Sequence, residues 1–164
     1  MFVKKSLNND FPYELDLKQV DFRITPEIYK VGRGGQGVLM VEPYKSEILP
    51  YWRFKTPVIA KKSSLKIYRH FLEYKKVHDF IGMDMARKFL QMGYTRSRRY
   101  ANHSSGQKYI HSSDKAKPDK LLPQEKDWQT NDKAQSARFF YEQYLKVKND
   151  EEYVRMKKEW MERG

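Results

Sequence analysis

The chain has 164 residues, of which 33 are Lys or Arg and 21 are Asp or Glu, so its net charge is +12 at neutral pH. It contains no cysteine, which excludes disulfide bridges, cysteine-ligated zinc or iron–sulfur sites and a cysteine nucleophile. A chain of this length fits one compact domain, and no apolar run reaches the ~18 residues that a membrane helix needs. We therefore expect a single cytoplasmic domain that makes no membrane contact.

The positive charge is confined to the middle of the chain. Residues 1–43 carry six basic and six acidic side chains, and residues 121–164 carry nine of each. Residues 44–120 carry eighteen basic and six acidic side chains, which accounts for the whole excess. An excess in one segment favours one basic surface that attracts polyanions. The alternative is a solvated face that only keeps the domain soluble.

The amino-terminal third of the chain predicts short elements. Thr25 followed by Pro26 predicts a brief helix over 26–29, since proline favours the first helical position. The apolar run VLMV predicts a small β element near residues 36–42. The next segment, bracketed by two prolines over 43–50, has room for a single helical turn.

Two long amphipathic helices follow in the sequence. A capping Thr56 and a first-turn Pro57 predict a helix from 57 to about 79, and a second helix is predicted from about 83 to 102. Wound at about 100° per residue, each helix has an apolar face and a polar face. The polar face of the first helix carries cations, among them Lys62, Lys66 and Arg69. The polar face of the second helix carries Arg87, Gln91, Tyr94, Arg98 and Asn102, with Arg99 next to it.

The polar face of the second helix has the chemistry of a phosphate-binding or base-binding surface. Arginine offers paired donors to phosphate, Asn and Gln can pair with adenine, and tyrosine provides a stacking plane. No Asp or Glu occurs between Met85 and Ser113. The alternative is a surface helix whose arginines pair with acids from elsewhere in the fold. The same winding turns Arg96 toward the apolar side, so either Gly93 interrupts the helix or Arg96 is buried with a partner.

Residues 51–55, YWRFK, alternate aromatic and basic side chains. In an extended conformation Trp52 could serve as a stacking platform for single-stranded nucleic acid. The interpretation we favour is a core anchor, in which Trp52 and Phe54 are buried and the cations are exposed.

The composition changes after His103. Residues 104–131 are rich in Ser, Lys, Asp and Pro without periodicity, which predicts a long loop or partly ordered segment. Long loops in compact domains are often functional, so closure over a binding site is one interpretation. Two further helices, from 132 to about 146 and from about 150 onward, complete the predicted elements, and their aromatic stripes indicate packing.

Residues 32–37, GRGGQG, match the GxGxxG pattern of nucleotide-binding proteins. In dinucleotide-binding folds this pattern follows a strand and opens a helix, whereas here the strand-like residues come after the glycines. A protein kinase is excluded because the catalytic HRD and DFG motifs are absent. We interpret the segment as a turn whose glycines supply positive φ angles, with Arg33 available to an anion.

Other catalytic or metal-binding patterns are weak. The four histidines come in pairs eight residues apart, and on a helix this separation is about 12 Å, too far for one metal ion. Asp79 and Asp84 flank Gly82, and two carboxylates at a helix junction usually act as caps rather than as cation ligands. We therefore predict no catalytic residue, no metal ion and no cofactor, and the balance of features is against an enzyme.

Two long stretches of the chain resemble a known family. The segments FRITPEIYKVGRGGQGVLMVEPYKSEILPYWRFKTP and FLEYKKVHDFIGMDMARKFLQMGYTRSRRYANH are similar to the family named domain of unknown function DUF4385, which has members in bacteria and tailed phages. The resemblance extends over about residues 11–163. It implies a single intact domain and brings no assigned reaction with it.

Together these features predict a mainly α (α+β) single domain over residues 1–164, with four or five helices and a small β element near residues 36–42. We expect it to bind a polyanion, and nucleic acid is the polyanion that we favour. The residues expected to bind it are Lys62, Lys66, Arg69, Arg87, Gln91, Tyr94, Arg98, Arg99, Asn102, Arg33 and Trp52. The alternatives are an enzyme that acts on a phosphorylated small molecule in an Arg-rich pocket, and an interaction module for an acidic protein. The sequence does not determine the oligomeric state.

Overall fold

Helices account for most of the chain in a computed structural model, which describes residues 11–12 and 16–163. The α-helices of this described part are α1 (Tyr44–Ile48), α2 (Pro57–Lys76), α3 (Phe80–Asn102), α4 (Asp132–Lys148) and α5 (Glu151–Glu162). Short 3₁₀ helices occupy Pro26–Ile28, Val38–Met40 and Leu49–Tyr51. An antiparallel pair of two-residue strands, β1 (Tyr109–Ile110) and β2 (Lys120–Leu121), places Tyr109 opposite Leu121. The predicted fold class, mainly α with a small β element, is confirmed.

Each of the four longer helices begins at a side-chain cap. Thr56 accepts a hydrogen bond from the Ile59 amide at the start of α2. Asp79, Asn131 and Asp150 accept the equivalent amide hydrogen bonds at the starts of α3, α4 and α5. These caps satisfy amides that have no partner within the helix, so the local sequence sets the helix starts.

Helix α3 lies at the centre of the packing, against α2, α4 and α5. All ten residues from 81 to 90 are buried. Two of its glycines allow the close approach of aromatic rings: a Cβ at Gly82 would lie 2.3 Å from the Tyr74 ring, and a Cβ at Gly93 would lie 2.4 Å from the Phe140 ring. The helix continues through Gly93, so the predicted alternative of an interruption there is wrong.

The small β element forms at a different place from the one predicted. Residues 38–40 form a 3₁₀ helix that follows Gly37 in the left-handed region, with Val38 and Val41 both buried. The strands form instead within residues 104–131, where two segments pair across a long turn. A strand requires a partner for its backbone hydrogen bonds, and apolar composition alone does not supply one.

The boundary between the two long helices also differs from the prediction. Helix α2 ends at Lys76 and α3 begins at Phe80, three residues earlier than predicted, because Asp79 is the cap and Gly82 lies inside the first turn. No helix in the described part of the chain is both long enough and apolar enough to cross a bilayer.

Candidate functional site

The carboxyl-terminal half of α3 presents exposed side chains above the core. Arg96, Arg99 and Tyr100 are exposed, Tyr100 by 41%, and their spacing of three and four residues makes them neighbours on one helix surface. We call these three residues the α3 ridge. The predicted burial of Arg96 is wrong: its guanidinium lies 5.5 Å above the ring of Trp52, on the outside of the core.

A cleft of about 710 Å³, the loop cleft, separates the ridge from the 104–131 segment. It brings together four of the predicted site residues, Tyr94, Arg98, Arg99 and Asn102, and adds Lys108, which the sequence did not single out. Its lining, as far as the structure describes the chain, contains no Asp or Glu. The cleft is therefore positively charged, as the arginine-rich segment predicts.

The long segment that forms the outer wall of the loop cleft is fixed to α3 by hydrogen bonds. The Arg98 guanidinium donates to Asn102 Oδ1 at 2.6 Å and to the Trp128 carbonyl at 3.0 Å, and it lies 5.5 Å from the centre of the Trp128 ring. The Glu125 amide donates to the Asn102 carbonyl at 2.7 Å. Arg98 thus positions the loop, while Arg99 is exposed.

A second cleft of about 510 Å³, the Phe54 cleft, lies on the other flank of the ridge. Its lining combines four cations with apolar and aromatic side chains and consists of Arg53, Phe54, Lys55, Ile59, Arg96, Tyr100 and Lys133. The Lys133 ammonium donates to the carbonyls of Phe54 and Lys55 at 3.2 and 3.0 Å, which attaches α4 to this part of the cleft lining. Again, none of the described lining residues is a carboxylate.

An acidic hollow borders this basic surface. It is lined by Glu125, Asp127 and Asp132, and it shares Tyr100 and Lys133 with the Phe54 cleft. A polyanion on the ridge would be repelled from this side, so the acidic hollow limits the directions in which such a ligand can extend.

The predicted cations of α2 belong to a different part of the surface. Lys62 and Arg69 are exposed, and the Lys66 ammonium lies 5.0 Å from the centre of the Tyr51 ring. Among the residues described, none of these three lines the loop cleft or the Phe54 cleft. Their role in binding stays a prediction.

Trp52 is half-buried and contacts the core. Its Nε1 donates to the Phe89 carbonyl at 2.9 Å, and its ring packs edge-on against Phe54 and Phe89. These contacts support the core-anchor interpretation. The ring contributes to the surface mainly by supporting Arg96.

Arg87 is buried, so its predicted place on an exposed polar face is wrong. Its guanidinium pairs with Asp84 Oδ1 at 2.7 Å and donates to Gln91 Oε1 at 2.9 Å, to the Tyr153 hydroxyl at 3.2 Å and to the Gly34 carbonyl. The Asp84 side chain is buried as well, so the two charges compensate each other inside the protein. An acid three residues before an arginine on a helix was a signal for this pair.

Lys88 continues the buried polar network. Its ammonium donates to the Gln36 carbonyl at 2.7 Å and lies 3.9 Å from Asp84 Oδ2. Burial lowers the pKa of Lys88 to about 7, with a further lowering from the charge of Arg87 and a partial offset from Asp84. Arg87 and Lys88 therefore bind the glycine segment to α3 and are not open to a polyanion.

The glycine segment forms a turn, as predicted. Gly32, Gly34 and Gly37 have φ angles of 68°, 55° and 76°, in the left-handed region that favours glycine. The turn is attached to α3 through the carbonyls of Gly34 and Gln36. Arg33 is exposed on this turn, with its amide bonded to the Gln36 side chain.

The carboxylates near the α2–α3 junction have structural partners. Asp79 caps α3 and accepts the Tyr44 hydroxyl at 2.7 Å, which confirms the capping interpretation for this residue. For Asp84 the capping interpretation is wrong, because this side chain lies inside α3 and pairs with Arg87. No cluster of three potential metal-ligating side chains occurs within the described residues.

Comparison with other proteins identifies a family without a known activity. No curated protein and no solved structure matches the chain. Residues 12–163, nearly the whole chain, match the family model described as Domain of unknown function (DUF4385), and the chain therefore belongs to this family.

Proposed function

We propose that this protein binds nucleic acid through the α3 ridge and the two clefts that flank it. One observation carries the proposal: both clefts beside one exposed helix surface are lined by cations and by no described carboxylate. The cations are Arg53, Lys55, Arg96 and Lys133 in the Phe54 cleft and Arg98, Arg99 and Lys108 in the loop cleft.

The breadth of this surface favours a polymer over a small anion. A nucleic acid presents a row of phosphates, and each lysine or arginine that neutralises one releases a bound counterion. Tyr100 is exposed among these cations and offers a ring on which a base can stack, and the half-buried Phe54 adds apolar surface to the cleft. An acidic protein would use the charges equally well but would gain less from the exposed Tyr100 ring.

Arg96, Arg99 and Lys108 are the residues with which to test the proposal, because all three are exposed and line the clefts. We expect the triple variant R96Q/R99Q/K108Q to weaken the binding of labelled oligonucleotides by tenfold or more, about the loss of three phosphate contacts. Fluorescence anisotropy with single-stranded and double-stranded oligonucleotides measures this, and heparin serves as the generic polyanion.

A matched control removes the same charge elsewhere. Lys18, Arg155 and Lys158 are exposed and line neither cleft in the described chain. If K18Q/R155Q/K158Q weakens binding as much as the ridge variant, net charge alone explains the affinity and the proposed site is wrong. Equal affinity of the wild-type protein for heparin and for oligonucleotides would also count against a nucleic-acid site.

The predicted α2 cations, Lys62, Lys66 and Arg69, can be tested in the same binding experiment with a separate variant. A loss of affinity in K62Q/K66Q/R69Q would extend the interface onto α2, whereas unchanged affinity would restrict it to the α3 ridge. We also propose a cytoplasmic location, where such a protein meets nucleic acid.

A further inference from the structure

A separate pocket of about 310 Å³ lies where the glycine turn meets α3, α4 and α5. Gly32 and Gly34 form one wall, Arg87 and Gln91 come from α3, Lys148 from α4 and Lys157 from α5. None of these residues lines the loop cleft or the Phe54 cleft of the described structure, so the pocket is independent of the nucleic-acid surface.

The pocket has a net positive charge. Its described lining contains three cations and no carboxylate. The nearby acid, Asp84, already pairs with Arg87 and accepts hydrogen bonds from Tyr153 and Tyr29. It therefore compensates the charge of Arg87 and does not compensate the charges of Lys148 and Lys157. Lys148 and Lys157 have no ion pair with any residue that the structure describes. An anion that enters would meet two uncompensated ammonium groups.

The part of the lining formed by Arg87 and the glycine turn is polar and held by hydrogen bonds. Arg87 is fixed by its bonds to Asp84, Gln91 and the Gly34 carbonyl, so its guanidinium is held in place before any ligand arrives. A Cβ at Gly34 would meet only the Gln91 amide, at 3.8 Å, so the space beside this part of the turn is open. Because Gly32 and Gly34 have no side chains, the turn contributes backbone atoms to the pocket lining.

Size restricts the ligand. A volume of about 310 Å³ is at the lower end of the range of roughly 300–1,000 Å³ for small-molecule sites. Such a volume accepts a phosphate group with a compact organic part and is too small for a nucleic-acid strand. Tyr144 and Tyr153 add aromatic surface to the lining, which suits a partly apolar organic group.

We propose that this pocket binds a small phosphate monoester, with Lys148 and Lys157 on the phosphate and with the glycine turn and Arg87 in the rest of the polar lining. The binding site would belong to the DUF4385 domain in addition to its nucleic-acid surface. Inorganic phosphate and glycerol 3-phosphate share the phosphate group, and only the second is an ester with an organic part. Comparing their affinities therefore distinguishes a site for phosphate from a site for a phosphate ester.

Isothermal titration calorimetry at constant ionic strength tests the proposal with these two probes. We expect one saturable site per chain, with glycerol 3-phosphate bound more tightly than inorganic phosphate. The variant K148Q/K157Q should weaken binding of both by about tenfold or more, as expected for the loss of charged hydrogen bonds. Both lysines end on the surface, so the variant should keep the wild-type thermal midpoint.

The matched control, R138Q/K158Q, removes one exposed cation from each of the same two helices outside the pocket. The proposal is overturned if this control weakens phosphate binding equally, or if the wild-type protein shows no saturable binding of either probe. Tighter binding of inorganic phosphate than of the ester would overturn the monoester assignment.

The outcome is separable from that of the nucleic-acid proposal. R96Q/R99Q/K108Q should retain phosphate binding, and K148Q/K157Q should retain oligonucleotide binding. Competition between an oligonucleotide and glycerol 3-phosphate for one site would overturn the independent pocket and would assign its lysines to the nucleic-acid surface.

Discussion

Asp84 is the residue on which the buried polar network depends. It accepts hydrogen bonds from Tyr153 and Tyr29, pairs with Arg87 at 2.7 Å and lies 3.9 Å from Lys88. Burial alone would raise the pKa of Asp84, but the two cations and the tyrosine hydrogen bonds outweigh burial and lower it. The carboxylate is therefore charged at neutral pH and balances cations that have no access to water.

Replacing Asp84 by Asn keeps the shape of the side chain and removes its charge. We expect the free energy of unfolding to fall by about 3–5 kcal/mol, because Arg87 would remain buried without compensation. Urea unfolding measures the change. Arg155 and Glu159 form an exposed pair at 3.1 Å, and E159Q should change stability by less than about 1 kcal/mol. A loss of similar size in both variants would contradict the importance of burial.

Lys88 predicts a pH dependence of stability. The unfolded lysine holds its proton up to its ordinary pKa of 10.5, whereas the folded side chain loses it near pH 7. Between these values the unfolded state binds more protons, so stability should rise with pH by up to about 1.4 kcal/mol per unit. Above about pH 10 the raised pKa values of Tyr29 and Tyr153 act in the opposite direction.

Urea unfolding at several pH values between about 7.5 and 9.5 tests this slope. K88M keeps an unbranched side chain that is one atom shorter and has no titrating group, so it should remove most of the slope, while the exposed K62M should leave it unchanged. A slope that survives in K88M would assign the pH dependence to other groups.

At the scale of elements, the sequence predicts the starts of α2 and α4, misses the boundary between α2 and α3 by three residues, and predicts the environments of the helices least well. The caps at Thr56, Asp79 and Asp150 are local signals, because each side chain bonds to an amide three residues away. The polar face of α3 was predicted on the assumption that one side of a helix is buried. Residues 81–90 are buried on all sides, since neighbours surround α3, and only tertiary packing determines this.

Gly93 shows how this packing outweighs helix propensity. Alanine is favoured over glycine inside a helix by about 1 kcal/mol, but a Cβ here would lie 2.4 Å from the Phe140 ring. We expect G93A to lower the free energy of unfolding by about 1–3 kcal/mol. Adding F140L should restore part of the loss, and a double-mutant cycle by urea unfolding measures the coupling. A stabilised G93A would show that α4 can move away without cost.

At the scale of the molecule, the cations of residues 44–120 fall into two groups, because some form internal contacts and others are exposed. Arg87 and Lys88 are used inside the protein, and Arg98 holds the long loop. Spacing along a helix predicted that Tyr94, Arg98, Arg99 and Asn102 lie together, which is what the loop cleft shows. Lys133, Lys148 and Lys157 could not be assigned to clefts from the sequence, because they come from helices distant along the chain.

The division of charge gives a quantitative expectation for the salt dependence of the proposed nucleic-acid binding. Of the cations that line the two clefts, Arg98 and Lys133 are held by internal hydrogen bonds to two acceptors each. Arg53 donates only from Nε, to the Pro50 carbonyl at 3.2 Å, and its two terminal nitrogens have no hydrogen bond to the described residues. This leaves Arg53, Lys55, Arg96, Arg99 and Lys108 for phosphates. At a slope of about −0.9 per contact for duplex DNA, five contacts give a slope of about −4 to −5 for the logarithm of affinity against the logarithm of salt concentration.

The variant R96Q/R99Q/K108Q should reduce this slope to about −2. Anisotropy titrations between about 50 and 200 mM salt cover the range in which the difference is largest. A wild-type slope near −10 would require the α2 cations as well, and an unchanged slope in the variant would place the phosphates elsewhere on the protein.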